Sequence, residues 1–197
     1  MSSEKIRRAV EILRAGGIIA YPTEAVWGLG CDPRNEAALR RLLSIKHRDP
    51  AKGLILIAAD FGQLEPWLAE IDPRLQEKAL ASWPGPVTWI WPAKDTASAL
   101  LRGNHATLAV RVTGHPLVAQ LCREFGGALV STSANRSGQP PARTADDVRR
   151  LLGDAIDCIV EGQTGGREAP SEIRDVITGA TLREGSMKTK AKKGTTP

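Results

Sequence analysis

Apolar side chains along this chain recur with two different spacings. In the first, they fall three or four positions apart, as on one face of a helix; Ile6, Ala9, Val10 and Leu13 are an example. Side chains that favour helix starts precede several of these stripes. The spacing predicts helices over 4–15, 36–45, 60–68, 73–82, 115–125 and 145–152, with Asn35, Asp60 and Thr144 as N-caps.

The second pattern is a short, unbroken apolar run, typical of a strand covered on both faces. Such runs predict strands over 18–21, 54–58, 87–91, 107–112, 128–130 and 155–160, and a hairpin of 172–178 with 181–184. Because Pro22 has no N–H for a ladder, we expect it to end the first strand. Loops are expected over 22–30 and 93–106. Since helices and strands alternate, the fold class is α/β, a mixed β-sheet flanked by helices.

Charge is distributed unevenly along the 197 residues, whose net charge is +5. Residues 186–197 contain four lysines and no acid, and they lack apolar periodicity, so we expect a disordered Lys-rich tail there. The remaining body, predicted as one domain over 1–185, carries a net charge of only +1. The overall basicity therefore does not indicate a nucleic-acid-binding face on the folded domain.

Several classes of protein are disfavoured by what the sequence lacks. No apolar run approaches the roughly 18 residues of a membrane span, and no signal-peptide core is present. We therefore expect a soluble, cytoplasmic protein with no membrane partner. The 3 cysteines and 3 histidines are scattered, which argues against a disulfide scaffold and a protein-held zinc site, so no metal ligands are predicted.

Cations concentrate between the helix over 36–45 and the strand over 54–58. Lys46, Arg48 and Lys52 lie there, next to Pro50 and Gly53, at the edge of the predicted core. Such a loop suits a polyanion such as phosphate, although a solvated turn explains each cation taken singly.

Other polar side chains stand where strands end, which is where open α/β sheets bind ligands. They are Thr23, Glu24, Arg111, Ser131, Ser133 and Asn135. A serine hydrolase is unsupported because Ser133 has no GxSxG elbow. A P-loop and a dinucleotide fingerprint are also absent.

The chain carries an ordered set of motifs that resembles the YrdC-type family in its short, single-domain form. The resemblance runs from about Ile6 to Gly185. The motifs are Tyr21-Pro22-Thr23-Glu24, Gly28-Leu29-Gly30, Lys46-x-Arg48, Pro84-Gly85-Pro86-Val87-Thr88, Ala109-Val110-Arg111, Ser131-Thr132-Ser133-Ala134-Asn135-x-Ser137-Gly138 and Pro170-Ser171-x-Ile173-x-Asp175. As a set they are highly specific, whereas each one alone is weak.

The resemblance implies a twisted mixed sheet with a large, basic, concave cavity. It also implies a nucleotidyltransferase that makes L-threonylcarbamoyl-AMP from L-threonine, bicarbonate and ATP, with release of pyrophosphate. This is the first step of threonylcarbamoyladenosine modification beside the anticodon of tRNA. A downstream transferase complex and contact with tRNA are implied partners. Mg²⁺, bound mainly through the ATP phosphates, is the implied cofactor, with Glu24 or Asp175 as the acids that could touch it.

The resemblance also assigns roles to residues. Lys46 and Arg48 are the implied catalytic residues. The implied ATP-binding residues are Lys46, Arg48, Lys52, Ser133, Asn135, Arg143 and Arg183. The implied threonine-binding residues are Thr23, Arg111, Ser131 and Ser171.

Two points stay open at this stage. Related proteins often have Ser-Thr-[Ile/Val]-Val-Asp where this chain has Ser171-Glu172-Ile173-Arg174-Asp175, which affects the threonine side of the expected site. The alternative function is a double-stranded RNA or tRNA-binding module that uses the same cavity as an electrostatic groove.

Overall fold

Nine β-strands form one mixed sheet within residues 3–185, the part of the chain that the computed structural model describes. The predicted tail over 186–197 lies outside the described residues. The strands are β1 (Ile19–Pro22), β2 (Trp27–Gly30), β3 (Ile55–Ala58), β4 (Val87–Pro92), β5 (Thr107–Val112), β6 (Leu129–Ser133), β7 (Cys158–Ile159), β8 (Glu172–Asp175) and β9 (Thr181–Arg183). Their order is β7-β1-β2-β6-β3-β5-β4-β8-β9.

Parallel and antiparallel pairs are mixed in this sheet. β3 runs parallel to β5, β4 to β8 and β1 to β7. The other neighbouring pairs are antiparallel, including the hairpin of β8 and β9. The α/β fold expected from the alternation of helices and strands is therefore confirmed.

Six α-helices flank the sheet in the described residues, and none is long and apolar enough to cross a membrane. They are α1 (Ser3–Arg14), α2 (Glu36–Lys46), α3 (Pro73–Leu80), α4 (Ala99–Arg102), α5 (Pro116–Phe125) and α6 (Ala145–Leu152). The predicted N-caps of α2 and α6 are confirmed: the side chains of Asn35 and Thr144 accept hydrogen bonds from Ala38 N and Asp147 N.

The pleat of the central strands divides their side chains between two cores. Leu56 and Val110 point to the face that α2 covers, where they join Leu39 and Trp89 in one buried cluster. Ile57 points to the opposite face, where apolar side chains of α1 and α5 cover it in a second buried cluster. Successive strand residues alternate faces, so Ile55 shares the face of Ile57.

The sequence patterns predicted the wrong type of element at three places, and the strands expected over 155–160 and 172–178 are shorter, at 158–159 and 172–175. The loop expected over 22–30 contains β2, which pairs with β1 and keeps Pro22 opposite Trp27. The helix expected over 60–68 is two 3₁₀ turns, Phe61–Gln63 and Glu65–Trp67, although Asp60 does cap the first. The loop expected over 93–106 contains the short helix α4.

The glycines of β2 explain why this strand was missed. Glycine usually weakens a strand, but here it lets the neighbouring strands and the Tyr21 ring lie close to the β2 backbone. A Cβ at Gly30 would lie 2.7 Å from Val130 O and 2.8 Å from Tyr21 Cε1. Neither neighbour can move easily, because one is backbone and the other belongs to a buried ring.

We therefore expect Gly30→Ala to lower the free energy of unfolding by about 2–3 kcal/mol, the cost of overpacking a core. Gly127→Ala is the matched control, since a Cβ there meets nothing within 4 Å. That change should be neutral or stabilise by up to about 1 kcal/mol. Urea denaturation of both variants measures the difference, and equal midpoints would contradict this account of β2.

Candidate active site

A cavity of about 610 Å³ opens on the part of the sheet face that α1 and α5 leave uncovered. Its floor follows the strand register. Ile55 of β3 pairs with Ala109 of β5 on one side and with Ser131 of β6 on the other, and Ala109 pairs with Ile90 of β4. All four residues line the cavity. Because these positions lie on central, fully paired strands, the floor is rigid.

The cavity gathers most of the residues that the sequence singled out. Nine of the eleven predicted binding residues are among its described lining residues: Thr23, Arg48, Lys52, Arg111, Ser131, Ser133, Arg143, Ser171 and Arg183. Lys46 and Asn135 are not among them. Arg167 and Glu168 also line the cavity, so cations outnumber acids in the described lining.

Lys46 lies beneath the cavity wall instead. Its side chain is only 2% exposed, and Nζ donates hydrogen bonds to Ser133 O at 2.5 Å, Asn135 O at 2.8 Å and Asn135 Oδ1 at 3.2 Å. The Lys46 carbonyl accepts a hydrogen bond from Ser137 N at 2.7 Å. Lys46 therefore ties the end of α2 to the loop after β6, which brings the cationic loop and Ser133 together.

The turn after α2 separates the two cations of the Lys46-x-Arg48 motif. His47 adopts a left-handed conformation, with φ 48° and ψ 45°, and caps the helix through its N–H. Arg48 then leaves the helix, and its guanidinium donates to Gly53 O at 2.9 and 3.1 Å. As a result Lys46 points into the core while Arg48 reaches the cavity.

Burial lowers the pKa of Lys46 to about 8, and the neighbouring charge of Arg48 adds to this effect. Burial likewise lowers the pKa of Arg48 from its usual range. A bound anion would restore the balance of charge at this end of the cavity.

At the other end, Arg111 forms an ion pair with Glu24. The distance from Arg111 Nη1 to Glu24 Oε2 is 3.1 Å, and the two side chains are 10% and 12% exposed. Burial raises the pKa of Glu24, but the charge of Arg111 and a hydrogen bond from Thr113 outweigh it, so the net pKa lies below its usual value. Glu24 is therefore ionised at neutral pH.

Comparison with known proteins places this chain in a family. The Sua5_yciO_yrdC family model, described as "Telomere recombination", matches residues 11–185. The chain belongs to the Sua5/YciO/YrdC family. Among its relatives is the threonylcarbamoyl-AMP synthase of Chromohalobacter salexigens, 57% identical over 92% of this chain and 98% of that protein.

Solved structures of the Sua5/YciO/YrdC family share the fold. A double variant of P. abyssi Sua5 is 31% identical with a TM-score of 0.90, and P. abyssi Sua5 complexed with L-threonine is 32% identical with a TM-score of 0.84. They cover 94% and 89% of this chain, respectively. This chain spans only 58% and 52% of those longer chains.

The departure from the family pattern at residues 171–175 falls mainly on the far side of strand β8. Ser171 and Ile173 line the cavity, whereas Glu172 and Arg174 are not among its described lining residues. Arg174 forms an ion pair with Glu172 at 2.7 Å and lies over the ring of Trp89. The two unusual residues thus pair with each other, and the cavity side of the strand keeps the family pattern.

Thr88 and Arg167 are among the described residues of the cavity wall to which the sequence assigned no role. Thr88 accepts or donates a hydrogen bond with Ser171 Oγ at 2.8 Å, although the motif that contains it was noted. Arg167 stands in a segment without periodicity, and its N–H donates to Glu24 O at 2.9 Å. No local pattern marks Arg167, because only the fold brings it beside Glu24.

The buried ammonium of Lys46 predicts a pH dependence of stability. Its folded pKa of about 8 lies below the ordinary 10.5, so above pH 8 the unfolded chain binds more protons and stability rises with pH. Relative to Lys46→Met, the wild-type free energy of unfolding should increase by about 2 kcal/mol between about pH 7.5 and 9.5. Urea titrations across this range measure it. A pH-independent difference would mean that the ammonium is as well stabilised inside the protein as in water.

Proposed function

We propose that this protein is a threonylcarbamoyl-AMP synthase, an enzyme that joins L-threonine, bicarbonate and ATP and releases pyrophosphate. The observation that carries the proposal is that nine of the eleven binding residues implied by the family resemblance line one cavity. The names of the relatives support it, since this chain matches two of them over 98% and 97% of their length at 57% and 55% identity. As a transfer of an adenylyl group, the reaction is that of a nucleotidyltransferase.

The phosphate end of the cavity is the end that carries the cationic loop. Arg48 and Lys52 line it, and Ser133 stands opposite them on β6. An Arg guanidinium can donate two parallel hydrogen bonds to phosphate oxygens, whereas a Lys ammonium acts as a mobile point charge. Lys46 and Asn135 shape the loop that presents Ser133. The positive charge of Lys46 lies beside that loop and adds to the positive potential at the phosphate end. Arg143 and Arg183 are further cations for the nucleotide.

The threonine end is the end at which Thr23, Arg111, Ser131 and Ser171 line the wall. Arg111 is the residue assigned to the substrate carboxylate, because a guanidinium matches a carboxylate with two parallel hydrogen bonds. Its Nε is buried with no hydrogen-bond partner among the described residues, so a donor remains unused. Ser131 and Ser171 line the same wall, where Ser171 Oγ shares a hydrogen bond with Thr88 and accepts another from Arg183 at 3.3 Å.

The chemistry brings anions together, which explains the excess of cations. The threonine amine and bicarbonate form a carbamate with loss of water. A carbamate oxygen then attacks the α-phosphorus of ATP, and the bond to the β-phosphate breaks as pyrophosphate leaves with its electron pair. Fixed cations neutralise both the attacking and the leaving group, and correct positioning lowers the rest of the barrier.

Mg²⁺ would neutralise phosphate charge when it binds with ATP. The two acids considered for it are already engaged, since Asp175 Oδ1 accepts hydrogen bonds from Ile177 N and Thr178 N and Glu24 faces Arg111. The described side chains therefore fit such an ion only as secondary contacts, with phosphate oxygens and water as its main ligands.

The product is a reactive mixed anhydride that a tRNA-modifying transferase complex would consume, and direct contact with tRNA stays a prediction. The names of the relatives support the synthase and not the alternative RNA-binding module. An RNA-binding module would show a salt-dependent affinity for tRNA that survives saturating ATP and threonine.

The direct test is pyrophosphate release from ATP in the presence of Mg²⁺, with threonine and bicarbonate each omitted in turn. We expect release only when both are present, together with threonylcarbamoyl-adenylate in the mass spectrum. Folded protein that releases no pyrophosphate under these conditions would falsify the assignment.

Replacing Arg48 tests the phosphate end. Arg48→Gln should lower kcat/KM at least about 100-fold, because a preorganised charge is lost. Its thermal midpoint should fall by only a few degrees, since the bonds to Gly53 O are replaceable. Arg40→Gln is the matched control: this exposed cation of α2 is not among the described lining residues. Equal activity of the two variants would remove Arg48 from the site.

A further inference from the structure

The Glu24 carboxylate is fixed from several directions. Oε1 accepts a hydrogen bond from Thr113 Oγ1 at 2.8 Å and another from Gly114 N at 3.2 Å. Oε2 faces Arg111 Nη1 at 3.1 Å in an ion pair, without a hydrogen bond among the described residues. Its backbone carbonyl accepts from Arg167 N at 2.9 Å. Glu24 therefore has one orientation, and that orientation directs a negative charge at Arg111.

The Thr113 hydroxyl is itself oriented by the backbone. It accepts a hydrogen bond from His115 N at 3.1 Å, at the start of α5. A hydroxyl has a single proton to donate, and here that proton goes to Glu24. Thr113 is 2% exposed and is not among the described residues that line the cavity. Of the two partners of this hydroxyl, Glu24 and His115 N, only Glu24 is among the described residues that line the cavity.

Arg111 depends on Glu24 for its position. Its Nε is buried without a hydrogen-bond partner in the described chain, so the ion pair is the main interaction that holds this guanidinium. A long Arg side chain has many rotamers, and a carboxylate that faces one terminal nitrogen restricts them. The other donors of the guanidinium then stay available to a second carboxylate.

We propose that Glu24 is a positioning residue for Arg111, and that Thr113 holds Glu24 in place, so that the three residues form a relay that sets affinity for the threonine carboxylate. The proposal rests on the proposed function, because it takes threonine as the ligand of Arg111. Glu24 acts through Arg111 and makes no step of the reaction itself.

The first test uses Thr113 in the full chain, because Thr113 touches no substrate. Thr113→Val removes the hydroxyl and keeps the side-chain shape, whereas Thr113→Ser keeps the hydroxyl. We expect Thr113→Val to raise the KM for threonine about tenfold, with kcat and the KM for ATP within about threefold of wild type. Thr113→Ser should keep the threonine KM within about twofold. A purely structural role would move the thermal midpoint and both KM values together.

The second test is a double-mutant cycle with Glu24→Gln, which removes the charge and keeps the size. Alone it should raise the threonine KM more than Thr113→Val does. The double variant should have the same threonine KM as Glu24→Gln alone, because Thr113 acts only through Glu24. Penalties that multiply would show that Thr113 acts by another route and would overturn the relay.

These outcomes separate the relay from the proposed function. If wild-type protein turns over threonine and the Val and Ser variants share one threonine KM, the relay is wrong and the synthase assignment stands. If folded wild-type protein has no threonine-dependent turnover, the proposed function is wrong and the relay falls with it.

Discussion

Side chains of a β-strand point alternately to the two faces of its sheet, and this alternation determines where the protein can bind a ligand. One face of the central strands is covered by α2, and the buried cluster on that face includes Trp89 and Trp91 of β4. The other is covered by α1 and α5 over only part of its area. Beyond those helices, Arg111 and Ser131 project from the same face of the sheet, and the cavity opens there. The site is thus the uncovered part of a core face, and the core keeps its floor rigid.

Two buried cations organise the two ends of that cavity. Lys46 is held by carbonyl oxygens of the loop after β6, and Arg111 is held by the Glu24 carboxylate. Burying a charge is costly unless it is paired or hydrogen-bonded. Each buried cation therefore requires a partner from another part of the chain, so two segments distant in sequence meet at each end of the cavity. The charge that a triphosphate and an amino acid would need is in place before either binds.

Much of the architecture could be predicted from local patterns. Helical stripes with caps at Asn35 and Thr144 located α2 and α6, and apolar runs located β3 and β5, because each signal lies within one element. Strand β2 was missed because its glycines serve close approach to Tyr21 and Val130. Most of the predicted site residues share the cavity, yet Lys46 was expected at the ligand and lies beneath the wall.

The sequence by itself determined the order of elements, the cationic loop after α2 and the family to which the motifs belong. Only the tertiary structure decided which face of each strand meets the cavity, and hence that Glu172 and Arg174 pair away from it while Ile173 lines it. It also decided that Thr113 and Arg167 both meet Glu24. The physical reason is that these contacts join strands and loops far apart in the chain, and no local spacing encodes a distance that only the packed sheet creates.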